Sequence, residues 1–310
     1  MVRLDCLIHL QYEAHTPSTV VFNVEPAISR YQTIVREQVD IRGETGMCDG
    51  LINHEGTRLL RVPAMGPVEI ASRFVVDIQH ATHDPGALSE MPVHALPMSA
   101  LPYLYPSRYC EADKLVPVAL RAFGQQRPGY SRIAAVARWV REQIAFDPDT
   151  HCPAASHPPA SAVDALARRR GGSRELAHLM IALCRALNVP ARFVNGIDAS
   201  GRGIDAGERT GAEDFHAQVE VFLSGRWYLF DPTGSAPTTG HVRLGTGRDA
   251  SDTAFATVFG SASCVRQHVR ARALEDPASD IRLPRQTDMP VSTSRAQTAS
   301  RADASPATAA

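Results

Sequence analysis

Over the first 95 residues apolar and polar positions mostly alternate, the period of a strand with one buried face. In MVRLDCLIHLQYEAH, Leu4, Cys6, Ile8 and Leu10 alternate with Asp5, His9 and Gln11, which predicts a first strand. The run EIASRFVVDIQH predicts another, with HEG and AMGP as breakers between such segments. A β-rich N-terminal domain over residues 1–100 is expected. ALPMSALPYLYPSRYC, residues 95–110, carries three prolines and reads as a linker laid along a surface.

Beyond it the period becomes helical. In SRIAAVARWVREQI, Ile133, Val136, Ala137, Val140 and Ile144 form one face, with Ser131 as the expected N-cap. DPDTHCPAASHPPASAVD is a proline-rich loop that ends in a Ser161…Asp164 capping pattern. The longest helix follows in RRRGGSRELAHLMIALCRALNVPARFV, where Leu176, Leu179, Met180, Leu183 and Leu187 make the buried stripe. Asn188, just ahead of Pro190, is a natural left-handed stop. Strands return in ARFVNGI and DFHAQVEVFLSGRWYLFDPTG. The pattern is α+β: the β-rich N-terminal domain, then a core over 107–265 with a helix packed on an antiparallel sheet. From 275 to 310 the chain is rich in Ser, Thr, Ala and Pro, and disorder is expected.

The hairpin fixes a register. Ser224-Gly225 suits a two-residue turn. Counting outward, Leu223 faces Arg226, Phe222 faces Trp227, and Gln218 faces Asp231. His216 then shares a face with Asp231 as a diagonal neighbour, about 7–8 Å away at the backbone and within side-chain reach. An aspartate so placed fixes the tautomer of a histidine and supports its imidazolium. Singly, each residue also fits a plain role: His216 as a surface strand residue, Asp231-Pro232-Thr233-Gly234 as a turn. The glycines 171 and 172, which open the long helix, shift the balance. A helix N-terminus carries about half a positive charge and free N–H groups, suited to a thiolate or an oxyanion. Ser173 at that point, with a His–Asp pair on a neighbouring hairpin, is the layout of papain-like acyl transfer.

Composition narrows the field. The chain has 310 residues, which suggests two domains, and its formal net charge of −1 argues against general attraction to nucleic acid or anionic membranes. No apolar run approaches the roughly 20 residues of a membrane span. The N-terminus lacks a cleavage site and reads as a strand rather than a signal peptide. Cysteines 6, 48, 110, 152, 184 and 264 have no C-x-x-C spacing and are expected to be reduced thiols in the cytoplasm. His151, Cys152 and His157 lack a fourth ligand at a recognisable spacing, so a solvated loop is expected and neither metal nor cofactor is implied. Cys184 lies about 16 Å along the helix from Ser173 and is expected in the core, as is His178. Cys152, in its loop, has nothing to fix it near the site.

The segment from AVDALARRRGGSRELAHLMIALCRALNVPARFVNGI through EDFHAQVEVFLSGRWYLFDPTG resembles the core of bacterial transglutaminase-like proteins, relatives of transglutaminases and papain-type cysteine peptidases. That family opens its helix with Gly-x-Cys-Arg-Asp-x-Ala-His and continues with Pro-Ala-Arg, Phe-His-Ala-Trp-x-Glu and Trp-x-x-x-Asp-Pro-Thr. GRDASDTAFATVFG, YLYPSRYCEADKL and the N-terminal region are also similar, so the likeness spans most of 1–265. It implies a papain-like α+β core in which His216 is the base, Asp231 its orienting acid, and Ser173 occupies the nucleophilic cysteine's position. Gly172, Glu175 and Gln218, the last at the family's Trp, also depart from the pattern. Several changes around one site favour drift over a single engineered replacement.

A thiol near a helix N-terminus and a histidine ionises at a pKa of roughly 3.5–7.5, whereas a serine hydroxyl must lose its proton during attack. The resemblance therefore implies a protein that acts on or binds peptide or amide groups, with reduced or lost catalysis. The alternatives are an active amide hydrolase or acyltransferase with a Ser173–His216–Asp231 triad, and a non-catalytic peptide-binding scaffold. Ser173 also suits simple helix capping, since serine is among the best N-cap residues. No feature of the sequence specifies an oligomeric state.

Overall fold

Strands dominate both ends of the chain, and helices fill the middle. The computed structural model describes residues 1–147, 160–199, 215–234, 239–294 and 296–297. The first strands are β1 (Val2–Phe22), β2 (Gln32–Thr45), β3 (Asp49–Ile52), β4 (Arg58–Ile78) and β5 (Ala81–Thr82). Then come α1 (Ala112–Phe123), α2 (Tyr130–Gln143), β6 (Ala145–Phe146), α3 (Ala162–Arg168), β7 (Arg170–Gly171) and α4 (Ser173–Ala186). Strands return as β8 (Ala191–Asp198), β9 (Phe215–Leu223), β10 (Arg226–Phe230) and β11 (His241–Gly247). The last are β12 (Ala256–Phe259), β13 (Ala262–Leu274) and β14 (Val291–Ser292). No helix among the described residues is long and apolar enough to cross a membrane.

The alternation near the N-terminus produces long strands. In β1 the apolar positions Leu4, Cys6, Ile8 and Leu10 are buried, and their neighbours face outward. AMGP does not break the strand as expected. Gly66 adopts φ +81° within β4, where residues 65–67 stand against Glu44 alone in β2, so the glycine sits in a bulge of one continuous strand. The sheet runs β12-β1-β4-β2, with β13 also beside β1 and β3 beside β4. Its inner face packs on Ile197, Phe215, Val242 and Leu244 of the second sheet.

The second sheet has the order β11-β8-β9-β10-β14-β5, all antiparallel. On one face Ala217, Val219, Val221 and Leu223 of β9 receive Leu176, Leu179, Met180 and Leu183 of α4, with α1, α2 and α3 around them. On the other face Phe222 and Trp227 lie under Leu96, Ala100 and Tyr103. The expected surface linker is thus anchored by its apolar residues as a cover for the sheet. Beneath it, Glu220 binds Arg192 at 2.7 Å and also Arg243 and Thr293, while Arg192 reaches Glu55 at 2.7 Å. Burial pushes the Glu220 carboxyl up, but Arg243 and Arg192 outweigh it and hold it at about 2.

Three expectations change. Residues 256–274 complete the N-terminal sheet by pairing with β1, so the chain crosses the boundaries expected at 100 and 265. The segment from 275, expected to be disordered, carries β14, whose Val291 and Ser292 pair with Leu229 and Tyr228. A buried valine and three hydroxyl residues complete an open sheet edge there, a local fit that average composition conceals; residues 295 and 298–310 lie outside the described residues. Helix α2 starts from Gly129, at φ +143°, rather than Ser131. Its cap comes from a distance: Glu90 accepts the Gly129 N–H at 2.9 Å and binds Arg132.

Removing residues 289–310 takes away β14 and the Thr293 hydroxyl on Glu220. A lost hydrogen bond to a buried charge is worth about 1.5–3 kcal/mol, or roughly 3–10 °C in Tm for a domain of this class. Calorimetry is expected to show a fall in that range; an unchanged Tm would contradict the placement of this segment.

Candidate functional site

Helix α4 begins where β7 ends, and its first turn is capped by its own side chains. Glu175 accepts the N–H of Gly172 at 3.0 Å and pairs with Arg174 at 2.9 Å. A side chain at Gly171 would meet the Glu175 Cβ at 2.7 Å, which explains the glycine. The N-cap is Gly172, and Ser173 is the first residue of the helix. Capping is therefore not what Ser173 does here: the glutamate takes that role and leaves the hydroxyl for another partner.

That partner is the next strand. Ser173 Oγ is 1% exposed as a residue and accepts the backbone N–H of Ala217 at 3.1 Å. The last β9–β10 pair is Val219 with Phe230, so this amide lies past the end of β10, where no strand among the described residues meets it on that side. The amide it accepts belongs to the residue that follows His216.

The hairpin has the register counted from its turn. Ser224 and Gly225 take φ +45° and +79°, Leu223 pairs with Arg226, and Phe222 with Trp227. His216 and Asp231 fall on one face, with Nε2 and Oδ2 3.3 Å apart. Thr233 holds the other oxygen of Asp231 by its N–H at 2.9 Å and its hydroxyl at 2.7 Å. Burial pushes the Asp231 carboxyl up; the charge of His216 and the bonds from His216 and Thr233 outweigh it and hold it below the usual carboxylate range. Ser173, His216 and Asp231 thus converge at one end of the core sheet.

A second carboxylate stands beside them. Asp198, at the end of β8, has Oδ2 3.5 Å from His216 Nε2 and Oδ1 2.9 Å from His241 Nδ1. Gln218 donates to the same carboxylate at 3.3 Å. The strand register puts His216 beside Gly196 and His241 beside Asp198. A Cβ on Gly196 would meet His241 Nε2 at 2.5 Å, so the glycine makes room for the ring. Sequence reasoning missed Asp198 and His241. Each is a polar residue at a strand end, on either side of a long connection, and only strand pairing brings them together.

The surrounding residues take the packing roles expected of them. His178 is buried, contacts the Ala160 carbonyl through Nδ1 at 3.3 Å, and accepts the Ala250 N–H on Nε2 at 3.2 Å. It stacks on Tyr109. Cys184 is buried in the core, and burial pushes its thiol up. His151, Cys152 and His157 lie outside the described residues. Among the described residues no group of three or more His, Cys, Asp or Glu could hold a metal ion.

The family model described as "Transglutaminase-like superfamily" matches residues 118–232, which contain Ser173, His216 and Asp231. A crystal structure described as a "Putative Cysteine Protease" from Cytophaga hutchinsonii is 30% identical, covers 94% of this chain and 98% of its own, and superposes with a TM-score of 0.84. Residues 118–232 belong to the transglutaminase-like superfamily. An uncharacterized protein of Mycobacterium leprae (strain TN) is 24% identical over 263 residues, 82% of this chain and 91% of the relative. The 94% cover takes in the N-terminal sheet as well as the transglutaminase-like core, so the likeness extends to the two-sheet architecture.

The neutral, buried His178 ties stability to pH. Burial lowers its pKa from 6.5 to about 4, so below 6.5 the unfolded chain binds a proton that the folded chain refuses. Stability contributed by the neutral ring is complete above about pH 6.5 and is lost as pH falls toward 4, by about 3 kcal/mol in all. Urea denaturation is expected to show this decline, shallower in His178→Phe; identical slopes would contradict it.

Proposed function

We propose that this is an amide- or peptide-binding member of the superfamily whose acyl-transfer chemistry is attenuated by Ser173. The single observation that supports this reading most is the bond from the Ala217 N–H to Ser173 Oγ at the start of α4. A helix N-terminus and a directed N–H both stabilise negative charge on the atom at that position. With sulfur there, the resting site would hold a thiolate beside a His216 imidazolium. A hydroxyl stays protonated at neutral pH, and the same environment gives it little at rest.

The proposed roles follow the atoms. His216 presents Nε2 to Asp231, which leaves Nδ1 as the nitrogen to take the hydroxyl proton. Ser173 Oγ would then attack an amide carbonyl carbon, and His216 would return the proton to the departing amine. Hydrolysis and transfer differ only in whether water or an amine resolves the acyl-enzyme. A reducing, cytoplasmic setting is part of the proposal; Cys6, Cys48, Cys110, Cys184 and Cys264 are free thiols.

The test compares wild type with Ser173→Cys in amide hydrolysis and amine-transfer assays. The cysteine variant is expected to gain on the order of 10²-fold or more in turnover and to react rapidly with iodoacetamide below the usual thiol range. Robust wild-type turnover abolished by Ser173→Ala, with fluorophosphonate labelling lost in His216→Ala, would replace this reading with an active serine triad.

A further inference from the structure

Resting on the proposed role of His216, we infer that Asp198 is a second positioning carboxylate for that imidazole, held in place by His241 and Gln218. Asp198 and Asp231 approach the same ring nitrogen, Nε2, at 3.5 and 3.3 Å from two different strand ends. Their side chains are 7% and 3% exposed, so neither carboxylate is left to solvent. Around Asp198 the balance of charge differs from that around Glu220. Glu220 is neutralised by Arg192 and Arg243. No arginine or lysine pairs with Asp198 among the described residues, and its ionic partners are the two imidazoles of His216 and His241.

A buried carboxylate without a fixed cation favours positive charge on whatever ring it faces. His241 contributes an anchor: a carboxylate oxygen accepts, so His241 Nδ1–H donates to Oδ1 at 2.9 Å. Gln218, at the family's Trp position, donates Nε2–H to the same group at 3.3 Å. These bonds turn Oδ2 toward His216. Among the described residues, the charged or titratable groups in contact with the His216 ring are Asp198 from β8, Asp231 from the end of β10 and, through Asp198, His241 from β11. Ser173 on α4 is uncharged. Two carboxylates on one nitrogen oppose rotation of the ring and support the imidazolium that forms when Nδ1 takes a proton.

The readout is thiolate formation in Ser173→Cys, followed by near-ultraviolet absorbance against pH, which needs no substrate. Asp198→Asn in that background keeps an amide oxygen to accept from His241 while removing the charge. The thiolate midpoint is expected to rise by about one pH unit, a tenfold loss of thiolate on the acid side. Asp231→Asn should do the same to a similar extent. Should the Asn variant fail to fold by circular dichroism, Asp198→Ser carries the same test. A role confined to tying β8 to β11 would lower Tm and leave the thiolate curve of Ser173→Cys unmoved, and that result overturns the inference. Absence of any depressed thiolate in Ser173→Cys itself would instead overturn the proposed site and this inference with it.

Discussion

The burial of α4 against β9 is the constraint from which the rest of the site follows. Leu176, Leu179, Met180 and Leu183 sit on Ala217, Val219, Val221 and Leu223, which fixes the helix along the strand. Burying one such side chain contributes about 1.5–3 kcal/mol, so this face resists sliding or rotation. With the helix fixed, its N-terminus can only lie at the end of β9 that carries His216. The Ala217 N–H then finds Ser173 Oγ at 3.1 Å. Hydrophobic packing thereby sets the position of the polar atoms.

The two polar layers of the core sheet use opposite strategies. Around Glu220 the charges are complete: two arginines, a threonine hydroxyl and, through Arg192, the carboxylate of Glu55 close the network. Glu55 belongs to the loop before β4, so this network ties the two sheets together. Around His216 the carboxylates face imidazoles, whose charge can change. The first arrangement suits permanence and the second suits proton movement. The proposed chemistry belongs to the second.

Much of this was readable along the chain, because the decisive signals are local. The turn at Ser224-Gly225 sets a register that carries directly to His216 and Asp231. Apolar spacing at three and four residues marks the α4 face, and Asn188 ends the helix region with φ +59°. The capping pair Ser161 and Asp164 closes as written, at 3.2 and 3.1 Å. What local reasoning could not reach depends on partners far along the chain. Asp198 and His241 meet only through β8–β11 pairing, Glu90 caps α2 from a distant loop, and β14 gains order from an edge it covers. The capping alternative for Ser173 fails because the cap falls one residue earlier, at Gly172, whose N–H Glu175 accepts.

The central claim is that carboxylates hold His216 by Nε2 and turn Nδ1 toward the start of α4. Nitrogen-15 NMR of histidine-labelled wild-type protein near neutral pH reads the tautomer directly, with no dependence on turnover. The account predicts that neutral His216 carries its proton on Nε2 and leaves Nδ1 bare. A His216 ring protonated on Nδ1, with Nε2 bare beside Asp198 and Asp231, would contradict it.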